Sequence, residues 1–241
     1  SLLTGYNQEE NSLARQIAER TGVISADYPS LSQATGVPLA TDNYSEFAIT
    51  GIFGRLNYDY AGKYLLGVTG RYDGSSKFPE NHRNGFFPSI SAGWSITKED
   101  FMNGVSAWLN ELKPRVSFGN VGNQAIQNPY SFLPTMDASY ASWLNDNKQV
   151  TTLSVPGLIS SDFTWATVQT LNIGLDLGIF RNRFTANIDW FKRETKDMLY
   201  EGIQLPGVLG TMAPLQNVAA LQSRGFEVQL NWQDKIGKVA Y

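Results

Sequence analysis

The sequence predicts an all-β fold, in which antiparallel strands cross a membrane and form part of an up-and-down β-barrel. Three observations predict it: polar and apolar residues alternate over long segments, the connections alternate in length, and aromatic residues gather at the segment ends. Outer-membrane barrels combine these features, because each strand shows one face to lipid and the other to the lumen. The chain has room for about eight such strands.

The alternation is clear in residues 47–60. Every even position there is uncharged, whereas positions 55, 57 and 59 are Arg, Asn and Asp. Successive side chains of a strand point to opposite faces, so all the charge lies on one face. The pattern returns in residues 64–73, 89–96, 112–118, 171–179, 183–190 and 226–232. We expect the polar face to line the lumen through Arg55, Asn57, Asp59, Arg71, Asp73, Asp176, Asn187 and Asp189.

The connections between these segments alternate between long and short. We expect the long ones to be extracellular loops and the short ones periplasmic turns, as in outer-membrane barrels. The short links are 61–62, 180–182 and 234–237, with a moderate one at 97–111. The long ones lie near 8–45, 74–87, 119–169 and 194–222.

Aromatic residues mark both ends of the predicted strands, as expected where amphipathic rings meet a membrane interface. Those near the short links are Tyr58, Tyr60, Tyr64, Trp94, Phe180, Phe184 and Trp232, and those near the long loops are Tyr72, Phe118 and Trp190.

A soluble β-sandwich also alternates apolar and polar residues and is the main structural alternative. Its strands average about 5–6 residues, whereas the segments here run for about 10–14. No stretch approaches the roughly 18 consecutive apolar residues of a transmembrane helix.

The moderate link predicts one short helix at the periplasmic rim. Thr97 stands where an N-cap would lie, and Asp100 follows at capping-box spacing. Phe101, Val105 and Leu109 then recur at helical spacing.

No set of residues predicts catalysis, a metal site or a cofactor. The chain has no cysteine, one histidine (His82) and a net charge of −3, which also disfavours nucleic-acid binding. Glu99 and Asp100 are adjacent, and glycosidase carboxylates must instead face each other across about 5–9 Å. We expect them, like Glu194 and Asp197, to be solvated.

The long loop near 119–169 contains aromatic residues among amide and hydroxyl side chains. Exposed rings in such a setting stack on sugars or grip peptides, and Tyr130, Tyr140 and Trp143 are the candidates for substrate contact. The alternative is that the loop aromatics pack the loop against itself, as ordered loops of this length must.

These segments together resemble the SusC/RagA family of TonB-linked outer-membrane proteins of Bacteroidetes-type bacteria. Their order and spacing are also similar to the family's, and the resemblance spans nearly the whole chain from about residue 47. Ala166 after Trp165 departs from the pattern, where an acidic residue is expected. The matching segments are GRLNYDYAGKYLLGVTGRYDGSSKF (54–78), GFFPSISAGWSITKEDFM (85–102), LKPRVSFGNVGNQ (112–124), TLNIGLDLGIFRNRFTANIDWFKRETKDMLY (170–200) and QNVAALQSRGFEVQLNW (216–232).

The resemblance implies a plugged barrel of about 22 strands in the outer membrane, with residues 1–241 forming part of its wall. It implies import of oligosaccharides or oligopeptides, energised through TonB and assisted by a SusD-like surface lipoprotein. We expect the plug and the TonB-contacting segment to lie upstream of Ser1. Two alternatives stay open: a soluble or surface carbohydrate-binding β-domain without transport, and an outer-membrane barrel enzyme.

Overall fold

The computed structural model describes residues 1–105, 107–126, 128–236 and 239–240. Eight long strands form one antiparallel sheet in the order β1-β2-β3-β4-β5-β8-β9-β10. Consecutive strands pair with each other, except that β5 pairs with β8. The bounds are β1 Leu2–Glu19, β2 Leu39–Tyr60, β3 Tyr64–Ser75, β4 Asn84–Trp94, β5 Leu109–Asn123, β8 Ala166–Ile179, β9 Phe184–Glu201 and β10 Leu215–Trp232.

The smaller elements lie in the connections. Strands β6 (Ala138–Asn145) and β7 (Lys148–Leu153) form a separate hairpin, and β11 (Lys235–Ile236) pairs with β12 (Val239–Ala240). Asp146 and Asn147 both have positive φ angles, of 48° and 63°, as a type I′ hairpin turn requires. Single 3-10 turns occupy Glu80–His82, Ile96–Lys98, Asp100–Met102 and Gly207–Leu209.

The predicted fold class is confirmed: the sheet is all-antiparallel, meandering and open, as expected for part of a barrel wall. Its strands have 11 to 22 residues, well above the usual 5–6 or so. A sandwich would cover the apolar face with a second sheet. Among the described residues, the hairpin and the two-residue pair are the only other strands.

The connections differ from the predicted bounds because strand pairing extends further than the apolar alternation does. The long connections are 20–38, 76–83, 124–165 and 202–214. Residues 8–19 and 39–45, for example, pair along β1 and β2 through backbone bonds that need no apolar side chain. The strict alternation was wrong at one place, since link 76–83 is shorter than link 95–108.

The helix predicted in the moderate link was wrong for the residues the structure describes there. The segment contains two separate 3-10 turns, divided at Glu99, whose backbone is extended. Neither turn begins at Thr97, and neither has a side-chain cap. Across the described part of the chain, no helix combines the length and apolar character needed to span a membrane.

Large apolar side chains are exposed on one face of the sheet. Ile52, Leu56, Val68 and Ile90, for example, are each at least 40% exposed. The buried apolar residues are few, and four of them form an aromatic cluster at the long-connection end: Phe78, Phe87, Phe163 and Trp165. Within the described residues, the sheet therefore has no continuous covered core, and the packed aromatic cluster lies at one rim.

Candidate functional site

The strand register places all eight predicted lumen residues on one face of the sheet. Phe53 and Gly51 pair with Arg71 and Asp73, which aligns the odd positions of β2 and β3. The same face continues through Ser91 and Ser117 to β8, where Asp176 pairs with Asn187 of β9. We call this surface the polar face, and its opposite the apolar face.

Arg115 is the centre of an ion network on the polar face. Its Nε lies 2.9 Å from Asp176 Oδ1, and its Nη2 lies 2.6 Å from Asp189 Oδ2. Lys113 Nζ completes the network, 2.7 Å from Asp176 Oδ2. The network spans β5, β8 and β9. Sequence reasoning named the two carboxylates but omitted Lys113 and Arg115, although both lie on the charged side of the 112–118 alternation.

Gly174 makes the network possible. It is paired with Arg115 on one side and Asp189 on the other, so the ion pair crosses above it. A Cβ at this position would lie 2.5 Å from Arg115 Cζ and 2.7 Å from Asp189 Oδ1. Glycine inside a strand often marks such a close approach. Asp189 Oδ1 is buried and has no hydrogen-bond partner among the described residues.

A hollow of about 490 Å³ lies on the polar face beside the network. Its lining includes four small residues, Gly67, Ser91, Gly93 and Ser117. Its charged lining comes from both sides, with Asp59 from β2 and with Lys113 and Arg115 from β5. The hollow can therefore accept a polar group, or chain segment, that carries both signs of charge.

Arg71 and Asp73 form a second pair on the polar face, on the same strand. Arg71 donates from Nε and Nη2 to the two carboxylate oxygens at 3.1 and 2.9 Å. The guanidinium also lies 5.5 Å from the centre of the Phe53 ring. By contrast, Arg55 hydrogen bonds only to Asn57 among the described residues, so its charge is available to another group.

The short-link rim is the end of the sheet that carries links 61–63, 95–108 and 180–183. Glu99 connects two of these links through its carboxylate. Its carboxylate accepts hydrogen bonds from Trp94 Nε1 at 3.0 Å and Lys63 Nζ at 3.1 Å. Hydrogen bonds from Trp94, Tyr64 and Lys63 lower the pKa of Glu99. The expectation of a solvated carboxylate was wrong for Glu99, whose side chain is 13% exposed, and right for Asp100, at 97%.

The predicted aromatic ends are confirmed at the short-link rim. The rings of Tyr60 and Tyr64 have centroids 6.4 Å apart, and those of Tyr64 and Trp94 lie 6.3 Å apart and nearly parallel. Phe184 and Trp232 approach to 6.3 Å on β9 and β10. The rings thus form a girdle along one edge of the apolar face.

The three substrate-contact candidates do not come together. Tyr130 accepts a hydrogen bond from the Glu46 backbone N–H at 2.9 Å. It lines a cleft of about 660 Å³ between the 124–165 connection and strands β1 and β2, together with Arg15 and Asn43. Tyr140 and Trp143 instead lie on β6, at 71% and 57% exposure.

Other aromatic residues of the same connection pack against each other. Trp165 stacks on Phe78 with a centroid separation of 4.7 Å, and its Nε1 donates to the Arg83 carbonyl. Phe132 joins the cluster at its edge. The self-packing alternative is therefore correct for Phe132, Phe163 and Trp165, whereas Tyr140 and Trp143 stay exposed.

His82, the one histidine of the chain, lies in the link between β3 and β4. It lies in a 3-10 turn, and its Nδ1 has no partner among the described residues. Residues 1–105, 107–126, 128–236 and 239–240 contain no group of three or more His, Cys, Asp or Glu side chains placed to hold a metal ion.

Comparison with known proteins gives consistent matches. Residues 3–241 match the family described as TonB dependent receptor-like, beta-barrel. TonB-dependent receptor P26 of Formosa agariphila is 37% identical over 80% of the chain and 19% of its own length. TonB-dependent receptor SusC of Bacteroides thetaiotaomicron is 34% identical over 76% of the chain and 18% of its own length. The chain thus spans about a fifth of these relatives.

Solved structures agree with the observed fold. A structure of the RagAB peptide importer in its open-open state matches 98% of this chain and 26% of its own chain, at a TM-score of 0.79 and 25% identity. A ferric enterobactin receptor from Pseudomonas aeruginosa matches at a TM-score of 0.52 and 13% identity, which concerns the fold alone.

Proposed function

This chain belongs to the TonB dependent receptor-like β-barrel family, and we propose that its sheet is part of the wall of an outer-membrane nutrient importer. The observation that carries the proposal is the one-sided exposure of the apolar face together with its aromatic girdle. Exposing so many large apolar side chains to water is unfavourable, whereas lipid accommodates them. The proteins it resembles are receptors, so we propose no chemical step.

The polar face would then line the lumen. Some of its charges form ion pairs across strands, as Arg115 does with Asp176 and Asp189. Others, such as the charge of Arg55, could contact another group. In a large barrel such a face contacts water, the plug or a passing solute. The proposed path of the substrate therefore follows the side that carries Asn57, Asp73 and Asn187.

We propose oligosaccharides or oligopeptides as the substrate. The cleft beside Tyr130 is lined by a cation, a carboxylate, amides and a second tyrosine ring, and the β6–β7 hairpin presents Tyr140 and Trp143 to solvent. Aromatic faces bind apolar sugar or side-chain surfaces while amides bind hydroxyl or peptide groups. Peptide import by the structurally similar RagAB supports the second class.

The proposed importer also requires partners. A SusD-like surface lipoprotein would help to capture the substrate at the long-connection end, and TonB would supply energy through a segment outside these residues. The similarity to SusC and to RagAB supports this arrangement.

Uptake by the complete protein tests the proposal. A strain that lacks the gene would be compared with the same strain carrying it, using fluorescent oligosaccharides and oligopeptides as separate substrates. We expect restored uptake of one class, abolished when TonB is absent and unchanged by His82→Ala. Restoration of neither class would refute the import proposal, and a hydrolytic activity lost in His82→Ala would favour the enzyme alternative.

A further inference from the structure

The apolar face of β9 changes its chemistry after Trp190. From Phe184 to Trp190 the side chains on this face are Phe, Ala, Ile and Trp, and the next three on the same face are Lys192, Glu194 and Lys196. The pairing of β8 with β9 has no register shift between Phe184 and Lys196. The three charged side chains therefore project from the same face as the apolar band, immediately beyond its edge.

Arg224 adds a third cation from the neighbouring strand. Arg224 is paired with Lys192 in the strand register, and two residues further along β10, Phe226 is paired with Trp190 of the apolar band. Lys192 Nζ and Lys196 Nζ lie 2.6 and 3.6 Å from Glu194, and their side chains are 39% and 48% exposed. Within the described residues, the exposed Arg224 side chain has no ion pair or hydrogen bond. We call Lys192, Lys196 and Arg224 the basic cluster.

The first two strands of the sheet, β1 and β2, lack such cations where they continue the apolar face. On β1 and β2, the even positions that continue this face beyond Tyr6 and Ile52 towards the long connection include the carboxylates Glu10 and Glu46 and no Lys or Arg. Tyr44 donates to the carboxylate of Glu46 at 2.8 Å. On the continuation of this face, the cations therefore distinguish β9 and β10 from β1 and β2.

We propose that the basic cluster binds the headgroup phosphate of an outer-leaflet lipid. The inference rests on the proposed function, in which the apolar face contacts lipid. It commits to lipid because the cluster continues that face directly, at the height where acyl chains give way to headgroups. Basic residues beside a membrane-spanning band attract anionic headgroups, and a guanidinium is well shaped for phosphate oxygens.

Glu194 acts as a positioning residue in this site. By forming ion pairs with both lysines it holds the two ammonium groups on one side of β9, and each ammonium keeps donors for a ligand. The cluster retains a net positive charge, because its three cations exceed the one carboxylate. The neighbouring Asp197 has a φ of 56°, which interrupts the strand alternation beyond Lys196.

The test uses the complete protein purified from its outer membrane. Native mass spectrometry would count bound lipid after incubation with lipid A or with its dephosphorylated form. The variant Lys192→Gln/Lys196→Gln/Arg224→Gln should bind phosphorylated lipid A about a hundredfold less well than wild type, since each cation contributes about 1 kcal/mol. Arg193→Gln is the matched control, since Arg193 follows Lys192 on β9 but lies on the polar face, and it should bind as wild type does.

A charge-conserving variant separates loss of charge from loss of folding. Lys192→Arg/Lys196→Arg/Arg224→Lys should retain binding. Equal binding by wild type and the triple-Gln variant, or equal binding of the two lipid forms, would overturn the site. Cell fractionation is done first, because a wild type found outside the outer membrane would contradict the proposed location itself.

Discussion

Arg115 and Asp189 form an ion pair of 2.6 Å across strand β8, which lies between the strands that carry them. The pair is possible because Gly174 leaves the surface of β8 open between its two partners. Because Arg115 also contacts Asp176 of β8, its side chain links three strands in addition to their backbone hydrogen bonds.

Replacing Arg115 by Ala should destabilise the barrel. Asp176 would keep Lys113 as a partner, whereas Asp189 would lose its cation while remaining largely covered, at 15% side-chain exposure. Leaving such groups without a partner costs about 1–3 kcal/mol. Urea-induced unfolding of the complete protein in lipid vesicles would measure the loss.

Arg55→Ala is the control for that change, because Arg55 hydrogen bonds only to Asn57 within the described residues. We expect its effect to stay within about 0.5 kcal/mol. Equal losses for Arg55→Ala and Arg115→Ala would contradict a specific role for the network.

The stability of the short-link rim should depend on acid pH through Glu99. Hydrogen bonds, first from Trp94, lower the pKa of Glu99 in the folded state. Its contribution is therefore complete above the ordinary carboxyl pKa of about 4.3 and is lost as the pH falls through the lower folded value. The hydrogen bond that Lys63 donates to Glu99 raises the pKa of Lys63, so the contribution of Lys63 is lost only at alkaline pH.

Unfolding midpoints measured between about pH 3 and 7 test this dependence. Glu99→Gln should remove part of the acid-induced loss, whereas Asp100→Asn should leave it in place because Asp100 is 97% exposed. An identical pH profile for wild type and Glu99→Gln would show that this carboxylate is not responsible.

Two tryptophans of one connection should give opposite phenotypes. Trp165→Ala removes a ring that is 6% exposed and packs on Phe78, with an expected loss of about 3–5 kcal/mol in local packing. Limited proteolysis within 124–165 should then become faster. Trp143→Ala should leave the rate of proteolysis unchanged. If the exposed ring binds the substrate, the variant should raise the substrate concentration that gives half-maximal uptake about five- to thirtyfold. Wild-type uptake by Trp143→Ala would remove it from the candidates.

The faces of the strands could be predicted from sequence because alternation is a local property. Arg55, Asp73 and Asp189 share a face for that reason alone. The partners across the sheet could not be predicted so directly. Arg115 meets Asp176 only because β5 pairs with β8 past the β6–β7 hairpin, which depends on tertiary register.

Two further differences have local physical causes. The spacing of Phe101 and Val105 indicated a helix, but Glu99 adopts an extended backbone and bonds to Trp94 and Lys63. The strands are longer than predicted because backbone pairing continues where the alternation of apolar and charged residues is lost, as along Glu10–Glu19 of β1.

The central claim is that one face of this sheet contacts lipid and the other does not. Ile188 and Asn187 are adjacent and both exposed, on the apolar and polar faces respectively. The decisive measurement is the free energy of folding into lipid vesicles for the complete protein carrying Ile188→Arg or Asn187→Arg. We expect a loss of about 2–4 kcal/mol for Ile188→Arg and less than about 1 kcal/mol for Asn187→Arg. Equal losses, or a larger loss for Asn187→Arg, would contradict the claim.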